Sequence, residues 1–436
     1  MTRRVAVIGG GSSGLACIKC CLDEGLEPVC YESSDDFGGL WRFKENPEPD
    51  RASIYHSVII NTSKEMMCFS DFPIPGHFPN FMHNSLIMDY FRMYADNFQL
   101  TKYIRFNTKV LQVKQRSDFS HSGQWDVETE NKDGKKEKHI FDAVMICIGH
   151  HCHPNMPLHD FPGIDTFKGK YFHSRDYKTP EEWRNKKAVV IGIGNSGIDI
   201  AVELSRVTKQ VTGFPFHSWP QVVTVTENKA SLYKYVFPPE LARPTLAIIG
   251  LVQPLGAIMP ISEMQARWAT RVFKGCIKLP SVASMLKDIQ CKEETMAKRY
   301  VTSHRHTIQV DYVRYMDEIA KMVGVLPNFL RLLLTDPRVG LNVIFGPCTP
   351  YQYRLRGPGK WAGAREAILT QWERVAQPMQ TRPCDEPQCK RSYAWLLMIS
   401  AAVMGLAAYI NRNSLPSFLQ DPAALLDKIK AYWPAQ

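Results

Sequence analysis

Two short glycine clusters carry the clearest chemistry in this 436-residue chain. Gly9-Gly-Gly11-Ser-Ser-Gly14 and Gly192-Ile-Gly194-Asn-Ser-Gly197 share one G-x-G-x-x-G spacing. Each follows a β-branched run, Val5-Ala-Val-Ile8 or Ala188-Val-Val-Ile191, and opens an amphipathic stretch. In that strand, turn and helix setting the first glycine makes the tight turn and the second lets backbone approach a pyrophosphate. The third lets helix pack on strand. The phosphate then sits at the helix N-terminus, where free N–H groups and the helix dipole favour anions. Two dinucleotides are therefore expected.

The residues beyond each cluster distinguish the two sites. Glu32 ends the apolar run Pro28-Val-Cys-Tyr31, where a carboxylate would accept hydrogen bonds from the ribose 2′- and 3′-hydroxyls. That suits FAD, or NAD without a 2′-phosphate. After the second cluster a helix over about 196–207 should lead to a strand starting near Lys209-Gln-Val211. The chain then reads Thr212-Gly-Phe-Pro-Phe-His-Ser-Trp-Pro220. The position matching Glu32 by spacing is Pro215, which neither binds ribose nor donates within a parallel ladder. Spacing alone predicts a second β-α-β unit that is cut off.

The elements that must position these loops read as an α/β fold of two nested Rossmann-like dinucleotide-binding domains, one interrupting the other. Residues 1–154 form the first part of the outer domain, closing with the strand Phe141-Asp-Ala-Val-Met-Ile-Cys147-Ile-Gly149. A proline-rich crossover then leads into the inner, truncated domain, 155–213. Residues 214–385 complete the outer domain. There the strand Thr245-Leu-Ala-Ile-Ile-Gly250 and a helix through Met264-Gln-Ala-Arg-Trp268 would return to the first sheet, and 281–345 read as helices.

Tyr393 to Ile410 is an uncharged run flanked by Lys390-Arg391 and Arg412. As a helix it would span roughly 27 Å, enough for a bilayer core, with tyrosine and tryptophan near its ends. A buried core helix is the competing reading. All-round apolarity, basic flanks and terminal position favour a C-terminal transmembrane helix. In the tail, 411–436, Asp421-Pro422 and the helical spacing of Leu425, Leu426, Ile429, Tyr432 and Trp433 fit a short interfacial helix.

Composition narrows the function classes. The net charge of +10 is scattered rather than interleaved with aromatics, so no nucleic-acid partner is expected. Twelve cysteines without regular spacing read as reduced thiols rather than a disulfide framework. Met1-Thr-Arg-Arg leads straight into a core strand, without a secretory signal. Cys17-Ile-Lys-Cys20 has the spacing of a redox pair, yet it falls inside the first motif's helix, where packing is the preferred role. His150, His151 and His153 lack matched carboxylates, and no metal site is expected. Asn61-Thr-Ser63 fits a glycosylation acceptor, a use that a cytosol-facing domain would not make.

Further segments carry a specific resemblance. Phe167-Lys-Gly169-Lys-Tyr-Phe-His173-Ser-Arg-Asp-Tyr177 fits the F-x-G-x-x-x-H-x-x-x-Y/F fingerprint of the vertebrate microsomal flavin-containing monooxygenases. Phe37-Gly-Gly39-Leu-Trp41, Ile60-Asn61-Thr-Ser-Lys-Glu-Met-Met67, Cys147-Ile-Gly149-His-His and Gly346-Pro-Cys-Thr-Pro350 match the same family, with most similarity to its form-five branch. The resemblance implies FAD on the outer domain and NADPH on the inner one. Gly9, Gly10, Gly11, Ser12, Ser13 and Gly14 would hold the FAD pyrophosphate, and Glu32 its ribose. Leu40, Trp41 and Thr62 would lie on the flavin side. Asn61 would face the flavin edge, the catalytic position that helps stabilise a flavin C4a-hydroperoxide beside bound NADP⁺. Gly192, Gly194, Asn195, Ser196, Gly197, Ile198 and Asp199 would belong to the NADPH site.

The family departs from this chain where spacing finds the break. Between the equivalents of Val211 and Thr212, members carry roughly a hundred further residues, the remainder of a doubly wound domain with the arginine that reads the 2′-phosphate. Ile148 also replaces a threonine or serine common in the first hinge. Two functions are thus expected in competition. One is an FAD- and NADPH-dependent monooxygenase of the endoplasmic reticulum membrane, facing the cytosol. It would use O₂ to oxygenate lipophilic amines or sulfides, or to insert oxygen beside ketones, and would contact lipid through its C-terminal helix. The other is a membrane-anchored flavoprotein or nonproductive isoform without productive NADPH binding. A disulfide reductase would require Cys17 and Cys20 to be exposed to flavin.

Overall fold

The Val5-Ala-Val run forms β1 (Arg4–Ile8), the central strand of a five-stranded parallel sheet. The computed structural model describes residues 2–380 apart from 49, 155, 193, 215–230 and 300–307. The predicted helix at 393–410 and the tail 411–436 lie outside the described residues. Among the described residues no helix is long and apolar enough to cross a membrane.

From β1 the first glycine loop leads into α1 (Ser12–Asp23) and β2 (Glu27–Tyr31). Two helices come next, α2 (Lys64–Met67) and α3 (Asn84–Asn97), then the edge strand β3 (Ile104–Arg105). An antiparallel meander of β4 (Thr108–Gln115), β5 (Trp125–Asn131) and β6 (Lys136–Phe141) contains the single turn α4 (Phe119–Ser122) between its first two strands. The chain then re-enters the main sheet as β7 (Ala143–Ile146).

The inner unit is β8 (Lys187–Ile191), α5 (Asn195–Ser205) and β9 (Gln210–Phe214). Beyond it β10 (Leu246–Ile248) pairs with β7, the return to the first sheet expected from Thr245–Gly250. The sheet order is therefore β10-β7-β1-β2-β3. The short strand β11 (Gln253–Leu255) precedes α6 (Ile258–Phe273) and α7 (Val282–Arg299). A short strand, β12 (Gln309–Asp311), interrupts the expected helical stretch and pairs with β11. Then come α8 (Tyr312–Val323), α9 (Phe329–Thr335) and α10 (Pro337–Phe345). On α9 and α10, Leu330, Leu334 and Phe345 are largely exposed.

Burial explains why α1 is built from small residues. Every residue from Gly14 to Cys21 is buried, because the helix is covered by the sheet on one side and by α6 on another. The strands beneath, Val5, Ala6 and Val7, are buried on both faces, as in parallel sheets flanked by helices. Trp268 of α6 closes this core, edge-on to Phe237 at 4.8 Å.

β9 corrects the sequence reading in one respect. The second strand is not cut off at Val211: it pairs in parallel with β8 over five positions, ending at Ile191 opposite Phe214. The next residue is Pro215, whose missing N–H suits the end of a ladder. This sheet has two strands only, with no further partner for either edge among the described residues. One face therefore stays bare. Ala188 and Val190 pack towards α5, whereas Val189 and Ile191 are 65% and 49% exposed.

Four distant segments meet in a buried ionic cluster. Arg354 Nη2 donates to Glu263 Oε1 at 2.6 Å and pairs with Asp71 at 2.9 Å. Asp71 also pairs with Lys19 of α1, and the Ser70 N–H donates to Glu263 Oε2 at 2.7 Å. Burial opposes ionisation of Asp71, but the charges of Arg354 and Lys19 prevail and hold its pKa below the ordinary carboxylate range. A carboxylate depressed in the folded state contributes stability above its unfolded pKa, and that stability is lost as pH falls through the folded value. Arg354→Leu should lower the chemical denaturation midpoint of the FAD-loaded chain, by a cost of about 3–5 kcal/mol for orphaning buried charge. Breaking the exposed pair Lys135–Glu137 by Lys135→Ala should leave the midpoint unchanged.

Candidate functional site

The two glycine loops are built alike. Gly9 has φ +102° and Gly192 φ +109°, a left-handed turn that only glycine adopts without strain. A Cβ on Gly14 would lie 2.0 Å from the Gly9 carbonyl oxygen, and one on Gly197 would lie 2.5 Å from that of Gly192. These third glycines let each helix close on its own strand. Gly11 and Gly194 stand at the helix starts in extended conformation, and no side chain caps either helix. The first-turn N–H groups are left to an anion.

Around the first loop the structure supplies a fixed acidic partner. Glu32 is buried, and its Oε2 accepts from the Gly10 N–H at 2.7 Å. Its Oε1 accepts from the N–H and Oγ of Ser34 at 2.9 and 2.8 Å. Sequence reasoning misses Ser34; a hydroxyl two residues after the carboxylate is the available signal. The Gly38 N–H donates to the Gly10 carbonyl at 3.0 Å, so the turn bearing Leu40 and Trp41 is bonded to the loop itself. Ser12 opens α1, while Ser13 Oγ bonds Ser262 of α6 at 3.1 Å. The cradle of glycine backbone, uncapped helix and oriented carboxylate fits the diphosphate and ribose of FAD.

Asn61 and Thr62 sit just before α2, with Asn61 exposed. Their loop is anchored from both sides. The Ile60 N–H donates to the Met82 carbonyl at 3.0 Å. The buried Lys64 ammonium, its pKa lowered by burial, donates to the carbonyls of Gly76 and Phe78 at 2.5 and 2.7 Å. Glu65 takes a two-pronged bond from Arg374 at 2.9 and 2.7 Å and another from the Tyr351 hydroxyl. An exposed amide on so fixed a loop can present hydrogen bonds to a bound ring system.

The second loop differs in its surroundings. Gly194, Asn195, Ser196, Ile198 and Asp199 are exposed, and only Ile200 and Leu204 of α5 are buried. Register confirms the expectation from spacing: Tyr31, before Glu32, pairs with Ile8, and Phe214, before Pro215, pairs with Ile191. No carboxylate succeeds β9 in the place of Glu32. The phosphate-binding loop of a dinucleotide site is thus present, with a proline in sequence where the first site has Glu32.

The other sequence candidates resolve simply. Cys17 and Cys20 are buried in α1, Cys17 Sγ lying 3.4 Å from Cys147 Sγ, and burial pushes both helix thiols above their ordinary pKa. A disulfide reductase reading, which needs them exposed, finds them enclosed. Among the described residues no group of three His, Cys, Asp or Glu side chains is arranged to hold a metal ion.

Comparisons with known proteins agree with this geometry. The family described as flavin-binding monooxygenase-like matches residues 2–213 and again 211–412. Flavin-containing monooxygenase 5 of Rattus norvegicus is 47% identical over 529 aligned positions, covering 94% of this chain and 99% of the relative. Those positions outnumber the chain's 436 residues, so the alignment bridges a stretch that the relative has and this chain lacks. The two family matches meet at the predicted break. Dimethylaniline monooxygenase [N-oxide-forming] 2 of Rattus norvegicus is 43% identical, covering 88% of this chain and 94% of the relative. The structure of S-allyl-L-cysteine S-oxygenase from Allium sativum superposes with a TM-score of 0.67 at 25% identity, covering 84% of this chain and 99% of that one.

The two loops can be separated by substitution. Gly14→Ala should lift α1 from β1 and yield protein purified without flavin, measured as the ratio of flavin to protein absorbance. Gly197→Ala, though it meets a similar clash, should retain its flavin.

Proposed function

The chain belongs to the flavin-binding monooxygenase-like family, and from that premise we propose that it is an FAD-dependent monooxygenase taking its electrons from NADPH. The observation that carries the reading is the complete first loop, with Glu32 oriented by Gly10 and Ser34 and with the Leu40–Trp41 turn bonded to Gly10. Flavin, when bound, supplies the activation of O₂ that no side chain here could perform. The residues of the chain bind, orient and shield. The first turn of α1 takes the diphosphate, Glu32 the ribose, and Asn61 donates from its anchored loop towards the reacting edge.

The acceptor is a soft nitrogen or sulfur nucleophile, or a ketone. Names among the relatives support the first two: one forms N-oxides and the garlic neighbour is an S-oxygenase. The reading extends to the membrane of the endoplasmic reticulum, with the nucleotide domains in the cytosol. Its support is the uncharged run 393–410 between basic flanks. Deleting residues 393–436 should shift the protein from the alkali-resistant membrane pellet towards the supernatant.

A second reading has its own observation. Among the described residues the inner sheet has two strands, and the two family matches meet at 211–213. A chain lacking the ribose half of the second site would hold FAD yet accept no hydride from NADPH. Anaerobic mixing of FAD-loaded full-length protein with NADPH decides between them. Bleaching of the oxidised flavin within seconds is the result expected of the monooxygenase. Flavin that stays oxidised with NADPH but bleaches with dithionite would establish the second reading.

A further inference from the structure

The second glycine loop hangs on a helix with little burial of its own, from a sheet bonded to no other strand among the described residues. Two tyrosines from outside β8, α5 and β9 reach that helix. Tyr55 Oη donates to Asp199 Oδ2 at 2.7 Å, and Tyr177 Oη donates to Glu203 Oε2 at 2.9 Å. The acceptors are four residues apart, so both lie on one face of α5. Asp199 and Glu203 both lie on α5 (Asn195–Ser205), the helix that the second glycine loop opens.

The tyrosines form one unit. Their rings meet edge to face with centroids 5.9 Å apart, and they are 6% and 2% exposed. Burial, followed by the carboxylate bond, raises both phenol pKa values, so each hydroxyl remains a proton donor. Their backbones are tied together as well: Lys178 Nζ donates to the carbonyls of Ile54 and Arg175, and the His56 N–H donates to the Lys178 carbonyl. Bonds from a neutral hydroxyl to an ionised carboxylate are short and directional. With the tyrosines buried and the carboxylates on the helix surface, they set an angle as well as a distance.

We infer that Tyr55 and Tyr177 are positioning residues for the second nucleotide site, fixing the angle at which α5 presents Gly192–Gly197. The inference rests on the proposed reading only in taking that loop as the NADPH loop. Asp199 thereby serves the clamp as well as any nucleotide.

Hydrogen–deuterium exchange on the detergent-solubilised, FAD-loaded full chain tests it. In the double variant Tyr55→Phe with Tyr177→Phe, amides 195–205 should exchange about tenfold faster, while amides of α1 and the flavin content stay as in the parent. Glu203→Gln keeps an acceptor and should exchange like the parent, whereas Glu203→Leu should exchange faster. Unchanged protection of 195–205 in the double variant, or equal exchange in Glu203→Gln and Glu203→Leu, would overturn the clamp. Where NADPH reduces the parent, the double variant should reduce about tenfold more slowly at saturating NADPH; an unchanged rate would overturn the positioning role. The exchange result does not depend on NADPH reducing flavin, so loss of the clamp and loss of the NADPH reading give different signatures.

Discussion

The buried salt cluster of Arg354, Glu263, Asp71 and Lys19 is the constraint on which the flavin half of the molecule depends. Its members come from α1, the loop after α2, α6 and the turn at 350–354, and each is needed to satisfy the others. Charges so placed are costly alone and tolerable only as a set. The set therefore fixes, at one stroke, the helix whose N-terminus forms the phosphate cradle and the loop leading back to Asn61. A neighbouring cation is held differently: Arg267 donates to the Tyr353 and Pro358 carbonyls at 3.2 and 3.0 Å. Burial, aided by the Arg354 charge, lowers its pKa to about 10.

The two glycine loops show how little of a binding site is local. Their turns, third-glycine contacts and uncapped helices are alike in kind. The difference is support. α1 is buried from Gly14 to Cys21 and Glu32 is held by the Gly10 N–H and by Ser34; α5 is buried at two positions and held by tyrosines. A phosphate loop is written in six residues, but the walls around a nucleotide come from strands far along the chain, and among the described residues the inner sheet has none beyond β9.

That division also decides how much could be read from the sequence. Both β-α-β starts, the return of β10 and the equivalence of Pro215 with Glu32 emerge from spacing, because strand period and turn geometry are local. The completed β9 escapes such reading because Val211 to Phe214 carries Thr212-Gly213, a weak strand signal that the ladder with β8 overrides. Ser34 lies within reach of local reasoning. The salt cluster and the tyrosine clamp do not: Lys19 and Arg354, or Tyr55 and Asp199, meet only through the fold, and although Asp199 and Tyr177 lie in or beside motifs, nothing local marks the pairing.

The bare two-stranded sheet has a colloidal consequence. Exposed strand edges invite a second chain to add to them. Here β8 starts beside Lys186 and Lys187 and β9 beside Lys209, all exposed. Edge-to-edge pairing of two copies would crowd these ammonium groups, a like-charge cost of the kind that disfavours such pairing. Such protection works only over the range of an unscreened charge, about 8 Å at physiological ionic strength. In the inner unit three exposed lysines thus stand at the starts of two strands that have no further partner among the described residues, and the like-charge opposition to pairing there weakens as salt rises.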